Sequence, residues 1–135
     1  ATNTYLPNNA LGTDTTAYNP DSKASIWNTS TNKFDYTSLK VGDVVKISGR
    51  LTFNNAAAQE IDMFISVGEG TATPHEHHIN HLYYKTAATG TELSFSYTLT
   101  IQNANELAGG SRFRFDSLDA TSITVNDFQI IVTEV

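Results

Sequence analysis

Across residues 42–67 apolar and polar side chains alternate with a period of two. Val45, Ile47, Leu51 and Phe53 take odd positions, and Lys46, Ser48, Arg50 and Thr52 take the even ones. Successive side chains of a strand point to opposite faces, so this segment reads as a strand with one face in a core and the other in water. After a short Asn- and Ala-rich stretch the alternation resumes. Ile61, Met63, Ile65 and Val67 share one face and Asp62 and Ser66 the other, where Phe64 is the apolar exception. The two arms are expected to pair as an antiparallel hairpin over a core, with Gly49 marking a bulge or a close contact. Residues 91–102 alternate again, setting Leu93, Phe95, Tyr97, Leu99 and Ile101 against Ser94, Ser96, Thr98 and Thr100. Residues 112–116 place Arg112, Arg114 and Asp116 on one face, an expected ion-pair stripe. In the closing segment the apolar parity changes between Val125 and Phe128, which predicts a bulge at Asn126-Asp127. One helical turn is expected at residues 104–108. With a strand at intervals of roughly ten residues, the predicted fold is all-β, an antiparallel β-sandwich or jelly roll.

Residues 1–40 have a different texture, rich in turn formers and interrupted by Pro7 and Pro20. They nevertheless carry Tyr5, Tyr18, Ile26, Trp27, Phe34 and Tyr36, spaced widely enough to anchor one by one onto a sheet. The expectation is one domain of 135 residues, made of an extended arm over 1–40 with short strands and a sandwich core over 41–135.

Composition narrows the function classes. Thr occurs 19 times, Asn 12 and Ser 11, while charged residues make up 16% of the chain, so hydroxyls and amides hydrate the surface. That texture suits extracellular and viral β proteins. A net charge of −6 provides no field for phosphate backbones or anionic lipid, which argues against nucleic-acid binding. The chain has no cysteine, which removes disulfides, thiol catalysis and thiolate metal sites. No apolar run reaches transmembrane length, so membrane insertion is not expected, and the start at Ala1 without a signal peptide suggests processing or a fragment.

The candidate chemistry lies in one short run. All four histidines, His75, His77, His78 and His81, fall within seven residues. In an unbroken strand His75, His77 and His81 would share one face with Ile79, and Glu76, His78 and Asn80 the other. His75, His77 and His81 are therefore the candidate ligands for a Zn or Ni ion, the alternative being a solvated or interface segment that needs no metal or other cofactor. The zinc-protease pattern H-E-x-x-H fails because Ile79 stands where the second histidine belongs. Nucleophile-elbow, phosphate-loop and dinucleotide signatures are absent, and Glu60, Asp62, Asp116 and Asp119 read as solvent-facing acids, so an enzyme is not expected. Trp27, Tyr83 and Tyr84, with Glu76 nearby in sequence, are candidates for a sugar site, since aromatic rings stack on sugars while acids and amides bond their hydroxyls. Trp27 has the alternative role of a core or interface anchor.

The order of I-W-N-T-S-T-N-K-F, L-K-V-G-D-V-V-K-I-S-G-R-L-T-F, a glycine-rich turn, F-S-Y-T-L-T-I and the closing T-S-I-T-V-N-D-F-Q-I-I-V-T-E-V resembles the C-terminal knobs of bacteriophage tail fibres and tail needles over residues 24–135. The resemblance lies in texture and strand order. It implies a non-enzymatic homotrimer at the tip of a virion, extracellular, that attaches to a host-surface glycan or protein receptor. Phe64 and Ile131 would then be candidates for burial between subunits. Two other readings stand beside it: a monomeric carbohydrate-binding module of a secreted enzyme, and a purely structural capsid or fibre-tip domain.

Overall fold

The computed structural model describes residues 2–5, 26–28, 31, 33–55, 58–117 and 121–135. Within these the elements are β1 (Thr2–Tyr5), β2 (Trp27–Asn28), β3 (Lys33–Phe34), β4 (Val44–Asn55), β5 (Gln59–Val67), β6 (His75–Tyr84), β7 (Ala88–Thr100), α1 (Ala104–Gly109), β8 (Ser111–Ser117) and β9 (Thr121–Thr133). They build a β-sandwich of two antiparallel sheets. The larger runs β2-β3-β8-β5-β6, with β1 also paired to β8, and the smaller runs β7-β4-β9.

The expected hairpin between β4 and β5 does not form. β4 pairs with β7 on one side and β9 on the other, whereas β5 lies between β6 and β8 in the opposite sheet. Alternation establishes that each strand has one buried face; it does not establish which strand lies beside it. Here the two buried faces confront each other across the core, and the chain crosses between sheets after Asn55. Val45, Ile47, Leu51 and Phe53 from β4 and Ile61, Met63, Ile65 and Val67 from β5 are all fully buried.

Aromatic rings tie the layers together. Phe113 of β8 meets Phe95 of β7 edge to face at 5.0 Å and Phe34 of β3 at 5.7 Å, and Phe53 of β4 meets Phe115 of β8 at 5.8 Å. Ile26, Phe34 and Tyr36 are buried in this same core. The Tyr36 hydroxyl bonds the Ser111 hydroxyl, and burial pushes the phenol above its ordinary range.

The parity slip in β9 is a bulge, as expected: Arg50 faces Asp127 and Leu51 faces Val125, leaving Asn126 as the extra residue. Gly49 itself stays in register with Phe95 and Phe128, and the shift falls one step beyond it. The expected helical turn is α1. Asn103 caps it by accepting from the Glu106 N–H at 3.1 Å, while the buried Glu106 carboxylate reaches back to the Gln102 N–H at 2.6 Å.

Candidate functional site

The histidine strand β6 lies at one edge of the six-stranded sheet. Its pairing with β5 begins in step, with Ile61 opposite Leu82, Asp62 opposite His81 and Met63 opposite Asn80. Phe64 then faces His78, so Ile79 is an extra residue and β6 is bulged there. A single inserted residue reverses the parity of everything on one side of it. Glu76, His78, His81 and Tyr83 consequently share the outer face with Ser66, Phe64, Asp62 and Glu60, while His75 and His77 sit opposite the inward-facing Val67 and Ile65.

This corrects the expected grouping of His75, His77 and His81. The structure instead brings His78 and His81 together on Asp62. Nε2 of His78 lies 2.8 Å and Nδ1 of His81 2.7 Å from the same carboxylate oxygen, Oδ1. The hydrogen bond from His81 holds the Asp62 carboxyl below its ordinary 3.8, against a smaller opposing effect of burial and with help from His78. The same bond raises His81 above its ordinary 6.5. Glu60 Oε1 lies 4.0 Å from the other ring nitrogen of His81. His75 and His77 form a separate pair, rings edge to face at 4.9 Å, with His75 Nε2 3.5 Å from buried Glu106 and the His77 ring 6.1 Å from Tyr97 of the facing sheet.

Arg114 organises the middle of the outer face. It donates from Nε and Nη2 to both oxygens of Glu76 at 2.7 Å and from Nη1 to Asp116, which raises its own basicity further. Its guanidinium lies 4.4 Å over the Phe64 ring, which also meets His78 at 5.0 Å. Phe64, a candidate for burial between subunits, is thus partly covered by Arg114 and His78 of its own chain. The ion-pair stripe continues with Arg112 bound to Glu69 at 2.8 Å.

The aromatic candidates separate. Tyr83 is 61% exposed on the outer face, opposite Glu60. Tyr84, next along the strand, turns to the other face, packs partly buried against the core, and has its phenol raised by that burial. Trp27 pairs through its backbone with Phe34 in β2, at the far edge of the sheet, with β3, β8 and β5 between it and β6. Four strand spacings of about 4.8 Å therefore divide Trp27 from Tyr83, too far for one sugar ring to touch both. Glu76 and Tyr83 do share a face. Asp119 lies outside the described residues.

The sequence places Asp62 only as a solvent-facing acid and Arg114 only in an ion-pair stripe, and the bulge at Ile79 goes unmarked although a signal for it exists. Ile79 and then Leu82 and Tyr84 all pack on the core, yet Ile79 is odd and the others even. That is the same parity slip that marks Asn126.

A concavity of about 230 Å³ opens beside β2 and β3, lined by Asn28, Lys33, Asp35, Glu69 and Gly109 among others. Glu69 is held low there: burial alone would raise it, but bonds from Ser66 and Arg112 and the charge of Lys33 outweigh that. Among the described residues of its lining the one aromatic ring, Phe34, is fully buried.

No protein-family model matches the chain, and no curated protein matches it. Among solved structures it is similar to the CBM22-1 xylan-binding domain of Xyn10C from Paenibacillus barcinonensis, with a TM-score of 0.48 and 16% identity over 76% of this chain. The chain spans 64% of that domain's length.

Proposed function

We propose that this is a non-catalytic carbohydrate-binding domain whose ligand lies on the outer face of β5, β6 and β8, stacked on Tyr83. The observation that carries the reading is the 61% exposure of Tyr83 on a sheet face whose polar groups are already fixed by one another. An aromatic ring left in water gains by covering its apolar surface, and the C–H face of a pyranose does this while leaving its hydroxyls free for Glu60, Asp62 and the histidines. Because Asp62, Glu76 and Asp116 are held by His78, His81 and Arg114, a sugar would meet preorganised acceptors. The same pairing argues against catalysis, since Glu76 and Asp116 both answer to one guanidinium.

Screening an oligosaccharide array and then titrating the best ligand by calorimetry tests this. Tyr83→Ala is expected to weaken binding by about tenfold or more, equivalent to ~1.4 kcal/mol, and Tyr83→Phe to retain most of it. An array without a positive glycan, or an affinity indifferent to Tyr83→Ala, would sink the reading.

A second reading, the virion-borne host-attachment tip, uses the same glycan chemistry within a homotrimer. The observation on its side is Ile131, an apolar side chain 41% exposed on the solvent side of the smaller sheet, away from the proposed glycan face. Light scattering after size exclusion separates the two. A trimer lost on Ile131→Glu is the expected outcome for the tip, and a monomer at micromolar concentration leaves the solitary binding module.

A further inference from the structure

We propose that Asp62, His78 and His81 form a binding site for one Zn²⁺ ion, which clamps the edge strand β6 to β5 across the bulge at Ile79. This inference rests on the geometry of the three side chains and does not require the carbohydrate reading, although they lie on the same face as the proposed glycan.

The donor set is two imidazole nitrogens and a carboxylate oxygen, a combination suited to Zn²⁺ and poorly suited to Ca²⁺ or Mg²⁺. Their ligand atoms all lie within 4.8 Å of one another. Both nitrogens already converge on one oxygen, at 2.8 and 2.7 Å. Zinc bonds of about 2.0–2.1 Å in a tetrahedron set neighbouring ligand atoms roughly 3.3 Å apart, so each nitrogen–oxygen pair needs to open by only about half an ångström while the two nitrogens, within 4.8 Å of each other, close to that same spacing. In the metal-free protein a ring N–H of each histidine faces the Asp62 oxygen; the ion would replace both of those protons with bonds to the same atoms.

The surroundings point the same way. Side-chain exposures of 49% for His78, 45% for His81 and 34% for Asp62 leave the ion an entry path and coordination positions for water. Glu60 stands 4.0 Å from the outward nitrogen of His81, a carboxylate placed to attract that nitrogen's proton and leave Nδ1 to the metal. The bulge has a direct consequence. Without Ile79 as an extra residue, His78 and His81 would lie on opposite faces and no ion could touch both. The ligands come from two strands, so occupancy resists peeling of β6 from the sheet edge. Ligand binding to the folded state alone raises its stability.

The test uses the full chain without a histidine tag, stripped by chelator and titrated with Zn²⁺ by calorimetry and by thermal melting. One Zn²⁺ per chain and a rise in melting temperature are expected. His78→Ala/His81→Ala should weaken binding by about 100-fold or more, since changes in outer-shell residues alone cost about 10–100-fold. His75→Ala/His77→Ala should bind as the parent does. Should the first double variant fold poorly without metal, Asp62→Asn provides the same test at a position in the centre of β5, and Co²⁺ absorption bands give a direct view of the ligand field. Absence of saturable Zn²⁺ binding, or binding that survives loss of His78 and His81 but not of His75 and His77, would overturn the proposal.

Discussion

Phe113→Ala is expected to cost about 3–5 kcal/mol of folding stability, a large fraction of what a domain of this size possesses. Phe113 is 1% exposed, and its ring is where three elements meet: Phe34 of β3 at 5.7 Å, Phe95 of β7 at 5.0 Å and its own strand β8. Truncation would remove transfer free energy and leave a void between the sheets. The strands on either side are held by continuous ladders and cannot easily collapse into such a space. Urea unfolding followed by fluorescence and circular dichroism should show a lower midpoint with a similar slope. Phe113→Leu, which keeps most of the volume, should cost less than about 1.5 kcal/mol. A loss below about 1 kcal/mol for the alanine variant would mean that the ring does not bind the two layers together.

The importance of Phe113 also shows what alternation can and cannot reveal. Its odd position in a run of Arg, Phe and Asp marks it as buried, and so it is. The period of two in β4, β5, β7 and β8 was legible because each of these strands keeps one face in the core and one in water. What could not be read was adjacency. Both β4 and β5 satisfy the pattern equally well as neighbours in one sheet or as opponents across a sandwich, and a short connection favoured the wrong choice. The arm shows the same division. Ile26, Phe34 and Tyr36 were recognised as anchors from their size and apolarity, but the pairing of β3 with β8 at Ser111 depends on contacts between residues far apart in the chain.

The candidate site was legible as a location and misread as a geometry. Four histidines in seven residues draw attention without any structure. Their facing depends on one inserted residue, Ile79, and the slip was detectable by the argument applied successfully to Asn126. The difference is that β9 carries enough apolar residues on both sides of its bulge to display the change of parity. In β6 the polar residues carry no parity of their own, so only Ile79, Leu82 and Tyr84 register it. Asp62 was equally visible as an exposed acid. Its partnership with His78 and His81 crosses from one strand to the next and is set by register, which local sequence does not fix.

Gly110→Ala should be the most damaging change outside the aromatic core, at about 3 kcal/mol or more. Gly110 has φ +64° and ψ −157°, a combination open in practice to glycine alone, so any side chain there carries roughly 1–3 kcal/mol of backbone strain. A Cβ at this position would also lie 2.2 Å from the Phe34 carbonyl oxygen, a backbone atom that cannot rotate aside. Gly110 is held on both flanks, its N–H donating to the Glu106 carbonyl at 3.0 Å and its carbonyl accepting from Gly68 at 2.9 Å. Relief must therefore come from displacing β3, which would withdraw Phe34 from Phe113. The Gly109-Gly110 pair, which in sequence resembles a slack connection, is one of the closest backbone approaches in the molecule: a Cβ on Gly109 would come within 2.5 Å of Gly68 Cα. Gly70→Ala supplies the control, because Gly70 has a comparable φ of +78° but nothing within 4 Å of the added carbon. Urea denaturation of the two variants separates strain from collision. The Gly110 variant should lose at least about 1–2 kcal/mol more than the Gly70 variant, since the collision with Phe34 adds to the cost of the positive φ that both share. Equal losses would show that β3 yields freely and that the close approach contributes nothing to how the arm is held.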